Sequence, residues 1–129
     1  MNISIAHLSG TEPDPHGPPL RRFLDPGYTP LCNSLAEIRA GIDALDEQIV
    51  ALLAERGRYV RDAARFKRDA FQVSAPARQE QVFAKVRALA EAKGAYPEVV
   101  DACYRAMVAG FIAREQQDHA AMAPVEDGQ

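Results

Sequence analysis

From Ser34 onward, apolar residues recur at alternating steps of three and four: Leu35, Ile38, Ile42, Leu45, Ile49 and Leu52, continued in register by Arg56, Tyr59, Ala63 and Phe66. No proline interrupts this heptad stripe, and its period predicts one amphipathic helix. Ser34 with Glu37 three residues on forms a capping box that marks the start. A helix from Ser34 to Ala70 would be roughly 55 Å long at 1.5 Å per residue. A compact chain of 129 residues has a radius of gyration near 14 Å, on the size scaling of folded domains. The rest of one such chain cannot cover a stripe of that length. It calls for a partner, most simply a second copy.

Proline placement divides the remainder. Six of the nine prolines (13, 15, 18, 19, 26 and 30) precede residue 34, and each fixes φ and removes a backbone donor. Residues 1–33 therefore read as an extended arm, ordered near Leu20–Phe23 by packing on the body. Residues 34–118 form the helical domain, and 119–129 a disordered tail. Pro76 opens a second helix that Gly94 ends, with Val82, Val86 and Leu89 inward and Arg78 and Gln79 continuing that stripe. Pro97 opens a third helix to about Asp118, with Val100, Cys103, Tyr104, Met107, Val108, Phe111 and Ile112 inward. Strand signals are absent. The fold class is all-α: one very long helix, two shorter ones, and an intertwined homodimer.

Composition narrows the function. Lys+Arg 15 against Asp+Glu 18 gives a net charge of −3, which disfavours a nucleic-acid partner. No apolar run reaches the ~20 residues a membrane span needs. Met1–Ile5 lacks a secretory signature, and two distant cysteines make no disulfide framework, so a reduced, cytoplasmic protein is expected. His7, His16 and His119 all read as tail residues, which argues against Ser-His-Asp, Cys-His and His-zinc chemistry. Cys103 reads as a small buried hydrophobe. An enzyme built from this chain would work without the usual nucleophiles or metals.

Three cations stand where apolar residues belong. Arg56 takes a heptad core position, and Lys67, 11 residues on, lies only ~20° around the helix from it. Arg78 sits in the first turn of the second helix, where the macrodipole disfavours a cation. Each alone could snorkel, its stem buried and its head in water. Together, on two helices joined by a short connection, they converge on one volume. Glu115 is the carboxylate on an inward stripe nearby, and one acid cannot neutralise three bases. A small polyanion would. Arg58, Arg61, Arg65 and Arg68 fall on solvated faces. Arg39 lies about 26 Å along the axis from Arg56, too far to share a small ligand within one chain. Antiparallel pairing of two first helices would bring Arg39 of one copy beside Arg56 and Lys67 of the other.

Leu35-Ala-Glu-Ile-Arg-Ala-Gly-Ile-Asp-Ala-Leu-Asp46, Leu52-Leu-Ala-Glu-Arg56, Ala64-Arg-Phe-Lys67 and Arg78 together resemble the all-α chorismate mutase family over residues 34–118. Tyr59-Val60, Phe66-Lys67 and Ala75-Pro76 are similar to the branch that includes isochorismate–pyruvate lyases. The resemblance implies a cofactor-free isomerase that converts chorismate to prephenate, on the shikimate pathway to phenylalanine and tyrosine. It implies that Arg39 reaches the partner's site to bind a substrate carboxylate. Arg56 would bind the side-chain carboxylate, with Arg78 beside it, and Lys67 would donate to the ether oxygen. A pericyclic rearrangement needs restraint and charge stabilisation rather than a nucleophile, in accord with the residues present.

Three positions depart from the mutase pattern. Gln79 replaces a glutamate that bonds the ring hydroxyl, and can still bond it. Ala75 replaces an aspartate, losing a polar contact. Glu115 replaces a glutamine that donates to the ether oxygen, which an ionised carboxylate cannot do. The expectation is that Glu115 acts protonated or the enzyme works at acidic pH; a one-residue slip would give the role to Gln116. The alternatives are an isochorismate–pyruvate lyase giving salicylate and pyruvate, and a non-catalytic helical dimerisation or regulatory module.

Overall fold

A computed structural model of the chain describes residues 10–126. Met1–Ile5, His7 and the end of the expected tail, 127–129, lie outside the described residues. Among the described residues every regular element is helical. The elements are α1 (Leu35–Ala63), a 3-10 turn (Ala64–Phe66), α2 (Ala70–Ser74), α3 (Pro76–Lys93) and α4 (Pro97–Ala120). None of the helices is long and apolar enough to cross a membrane. The chain divides into two units between Ala51 and Leu52.

In the first unit, the arm's prolines build turns. Asp14-Pro15-His16-Gly17 and Asp25-Pro26-Gly27-Tyr28 each close through a bond from the fourth residue's N–H to the aspartate carbonyl, at 3.3 and 3.2 Å. Asp at the first position and Pro at the second is the composition such turns favour. The arm is tied at Pro15, whose carbonyl accepts from Ala36 N–H at 2.9 Å and so satisfies a free donor of the first turn of α1. Leu20 and Phe23, expected to pack on the body, are exposed instead; Phe23 pairs with Tyr28, ring centroids 4.4 Å apart. The Ser34 hydroxyl accepts from Glu37 N–H, and the Glu37 carboxylate accepts from Asn33 N–H, completing the α1 cap. The stripe residues Ile38, Ile42, Leu45 and Ile49 are all exposed.

In the second unit, α4 packs against α3, α2 and the 3-10 turn. The buried core is Ala64, Val73, Phe83, Val86, Ala90 and Val108. Several expectations are corrected here. The long helix ends at Ala63, with a 3-10 turn to Phe66, rather than at Ala70, because Lys67 is extended (φ −107, ψ 135) and Asp69 caps a new helix. On α3 the inner face is Phe83, Val86 and Ala90, while Leu89 is exposed. Cys103 is exposed, not buried. His119 belongs to the last turn of α4 rather than to a tail.

Candidate active site

The turn between α1 and α3 is built from short-range polar contacts. Asp69 Oδ1 accepts from Gln72 N–H at 3.0 Å, while Gln72 Oε1 accepts from Arg68 N–H at 2.6 Å. The pair repeats the Ser34–Glu37 device, with the side chain of the third helical residue reaching the residue before the cap. The Gln72 N–H bond, then the Arg68 guanidinium, hold the Asp69 carboxyl below its ordinary range, with burial opposing them. After one turn of α2, Ala75 adopts left-handed backbone (φ 43, ψ 63), and Pro76 starts α3 directly behind it. A side-chain-bearing residue in that region, before a proline, is strained, and such strain gathers at functional sites.

This connection and the inner ends of α1, α3 and α4 surround a cavity of about 330 Å³, within the size range of small-ligand sites. Arg56, Lys67, Arg78, Gln79 and Glu115 supply its polar lining. Apolar walls come from residues such as Val60, Val82, Val108 and Ile112. Five of the six residues singled out from the sequence therefore meet around one volume. The sixth, Arg39, stands on the second turn of α1 in the first unit.

Each cation is held differently. Lys67 Nζ donates to Glu115 Oε2 at 2.7 Å, and the Glu115 side chain is only 4% exposed. Arg56 has its guanidinium carbon 5.3 Å from the Phe111 ring centroid and 6.0 Å from that of Tyr104. These ring faces favour a cation without neutralising it. Among the described residues neither Arg56 nor Arg78 is ion-paired. Gln79 Nε2 donates to the Ser74 carbonyl at 2.6 Å, which leaves its Oε1 as an acceptor towards a ligand. Gln116 points elsewhere: its Nε2 donates to the Ala70 carbonyl at 2.8 Å and to Ser74 Oγ at 3.2 Å. Glu115, one residue earlier, is the member of the two that lines the cavity.

Sequence reasoning missed three contributors. Asp69-Ala-Phe-Gln72 is a capping pattern legible in the residues themselves. Phe111 was placed inward as core, without its role beneath Arg56. His119, read as tail, has its Nε2 2.7 Å from the Lys67 carbonyl; no local pattern announces that contact across 52 residues.

An all-helical scaffold whose cavity gathers three cations, two of them without an acidic partner among the described residues, has the chemistry to hold a small anion. The family described as chorismate mutase type II matches residues 38–116, and the chain belongs to that family. An isochorismate pyruvate lyase of Pseudomonas aeruginosa is 32% identical over 84 residues, which span 65% of this chain and 83% of that protein.

Proposed function

We propose that this chain is a chorismate mutase, rearranging chorismate to prephenate as a homodimer with shared sites and no cofactor. The observation that carries the reading is the charge in the cavity. Arg56, Lys67 and Arg78 against Glu115 leave a formal excess of +2 in a largely apolar enclosure. Chorismate is a dianion and balances it.

The rearrangement breaks the enolpyruvyl C–O bond and forms a C–C bond within one molecule. No atom passes to the protein. What the site supplies is a compact reactive conformer and a counter-charge for the ether oxygen. Arg56, braced by its two rings, binds the side-chain carboxylate, and Arg78 contributes beside it. Lys67 leaves Glu115 to donate to the ether oxygen, where negative charge grows as the bond breaks. Gln79 Oε1 accepts from the ring hydroxyl. Arg39 comes from the partner's α1, and burial of both exposed stripes drives the pairing at about 25 cal/mol per Å² of apolar surface.

One observation favours a second reading, isochorismate–pyruvate lyase: the identity with the Pseudomonas aeruginosa protein runs through most of that protein's length. The lyase reaction needs the same dianion restraint and the same donor to a departing ether oxygen. The polar Gln79 beside the ring position supports the mutase. Purified protein assayed with chorismate and isochorismate in parallel, with Lys67→Ala as control, tests both. Prephenate from chorismate, lost in Lys67→Ala, is the expected result. Salicylate from isochorismate alone would give the lyase. Turnover of neither substrate, with no thermal stabilisation by chorismate, would leave a dimerisation module whose stripe cations are structural.

A further inference from the structure

Lys67 lies between α1 and α2 with its backbone extended, as Asp69 does two residues on. Its N–H donates to the Ala64 carbonyl at 3.2 Å, but among the described residues no backbone donor reaches its own carbonyl. His119 Nε2 stands 2.7 Å from that oxygen in a part-buried contact. A carbonyl only accepts, so Nε2 carries the hydrogen. Glu115 and His119 are four residues apart, one turn along the same face of α4. One face of α4 therefore holds Lys67 by its ammonium at one end and its carbonyl at the other. The next face residue, Gln116, bridges the Ala70 carbonyl and Ser74 Oγ, and the Ser74 carbonyl in turn accepts from Gln79.

We propose that His119 and Gln116 are positioning residues, a polar latch that fixes segment 67–75 so that Lys67 and Gln79 enter the site in register. The inference rests on the catalytic reading above for its kinetic consequences, though not for the latch itself. Three hydrogen bonds onto this segment matter because Lys67 has two jobs. Its ammonium must move from Glu115 to substrate while its backbone stays still. A carbonyl held by His119 keeps the root of the side chain fixed through that exchange. Displacements of about 1 Å at a reacting group can cost up to a hundredfold in rate. Gln116 does the same at the other end, where Ser74 and the strained Ala75 lead into Arg78 and Gln79.

The test uses the full chain with His119→Leu, His119→Gln and Gln116→Leu. His119→Leu should lower kcat for the active substrate about tenfold, with KM within about twofold and most molecules still folded. His119→Gln keeps an amide N–H at similar reach and should recover most of that loss, which a merely structural role would not require. Gln116→Leu should raise KM more than it lowers kcat, because it loosens Ser74 and with it Gln79. Amide exchange over residues 68–75 should be faster in both leucine variants than in the wild type. Unchanged kcat in His119→Leu, or equal loss in His119→Leu and His119→Gln, would overturn the positioning role. Should the wild type turn over neither substrate, the catalytic reading fails by itself. Exchange over 68–75 then decides the latch: faster exchange in the leucine variants upholds it, and unchanged exchange overturns it.

Discussion

Lys67 and Glu115 are 48 residues apart in sequence and form a 2.7 Å ion pair at the wall of the cavity. The pairing accounts for how a carboxylate with 4% exposure is tolerated in a small core. It also means that the lysine already has an internal anion as its partner. In the proposed reaction the substrate takes the lysine from Glu115 as it enters, exchanging one anionic partner for another.

Truncating Lys67 therefore has two separable effects. Lys67→Met leaves the Glu115 carboxylate without its donor, and should destabilise the fold by about 1–3 kcal/mol. In Lys67→Met/Glu115→Gln the buried group is a neutral amide, so most of that loss should return. Urea denaturation of the two single variants, the double variant and the wild type measures the coupling. Activity should stay low in the double variant, at least a hundredfold below wild type, because a donor to the developing charge is gone. Recovered activity would remove Lys67 from the chemistry.

Glu115→Gln should raise turnover. A carboxylate beside the ether oxygen opposes the charge that grows there, whereas an amide can donate to it. Removal of one negative charge from the cavity should also lower KM for a dianion. Steady-state kinetics of the two proteins under the same conditions measures both effects, and an unchanged kcat/KM counts against the role.

What could be read in the sequence followed from periodicity and from the cost of buried charge. The 3-4 stripe located α1, the two prolines and Gly94 marked α3 and α4, and the odd cations pointed to the cavity that they line together. The readings that failed depended on tertiary context. Heptad phase carried on past Ala63 in the residues, yet the Asp69–Gln72 cap outcompeted it and turned Lys67 out of the helix. Cys103 fits the apolar stripe of α4 by spacing, yet it is exposed in the folded chain while Val108 on the same stripe is buried. The bond between His119 and Lys67 joins residues too far apart for any local rule. The left-handed Ala75 carries no signal at all, since neither alanine nor a following proline favours that backbone.

The Asp69 cap gives the segment a sensitivity to acid. Its carboxyl is held below the ordinary value of 3.8, first by the Gln72 N–H bond and then by Arg68. A depressed folded value means the cap contributes fully above about 3.8 and is lost as pH falls through the lower folded value. Amide exchange over residues 70–74, corrected for the intrinsic pH effect, should rise only as pH falls well below 3.8 in the wild type. Asp69→Ala should show raised exchange at neutral pH and little further change on acidification. A wild-type segment equally protected at both pH values would contradict the cap's role.

Gly57 is a packing requirement of the site. A Cβ at this position would lie 3.0 Å from Phe111 Cε1, so Gly57→Ala must push the ring that supports Arg56. Alanine is the better helix former by about 1 kcal/mol, which offsets part of the strain. Stability should therefore change little, while KM rises several-fold as the guanidinium loses its seat. Calorimetry and steady-state kinetics together separate the effects; unchanged KM would mean that the ring does not position Arg56.

Shared sites make a quantitative prediction about mixed dimers. Each site of a two-fold homodimer would take Lys67 from one chain and Arg39 from its partner. Arg39→Ala and Lys67→Ala homodimers should each be nearly inactive. After unfolding and refolding together at equal concentration, half the dimers are mixed, and each mixed dimer rebuilds one wild-type site from its two intact residues. Activity should return to about one quarter of the wild-type level for the same total protein, by statistical pairing of the two chains. Leu45→Arg, in the middle of the exposed stripe, should abolish both the dimer in sedimentation and this recovery. If the sites instead lie within single chains, mixing restores nothing, and Leu45→Arg monomers keep their turnover.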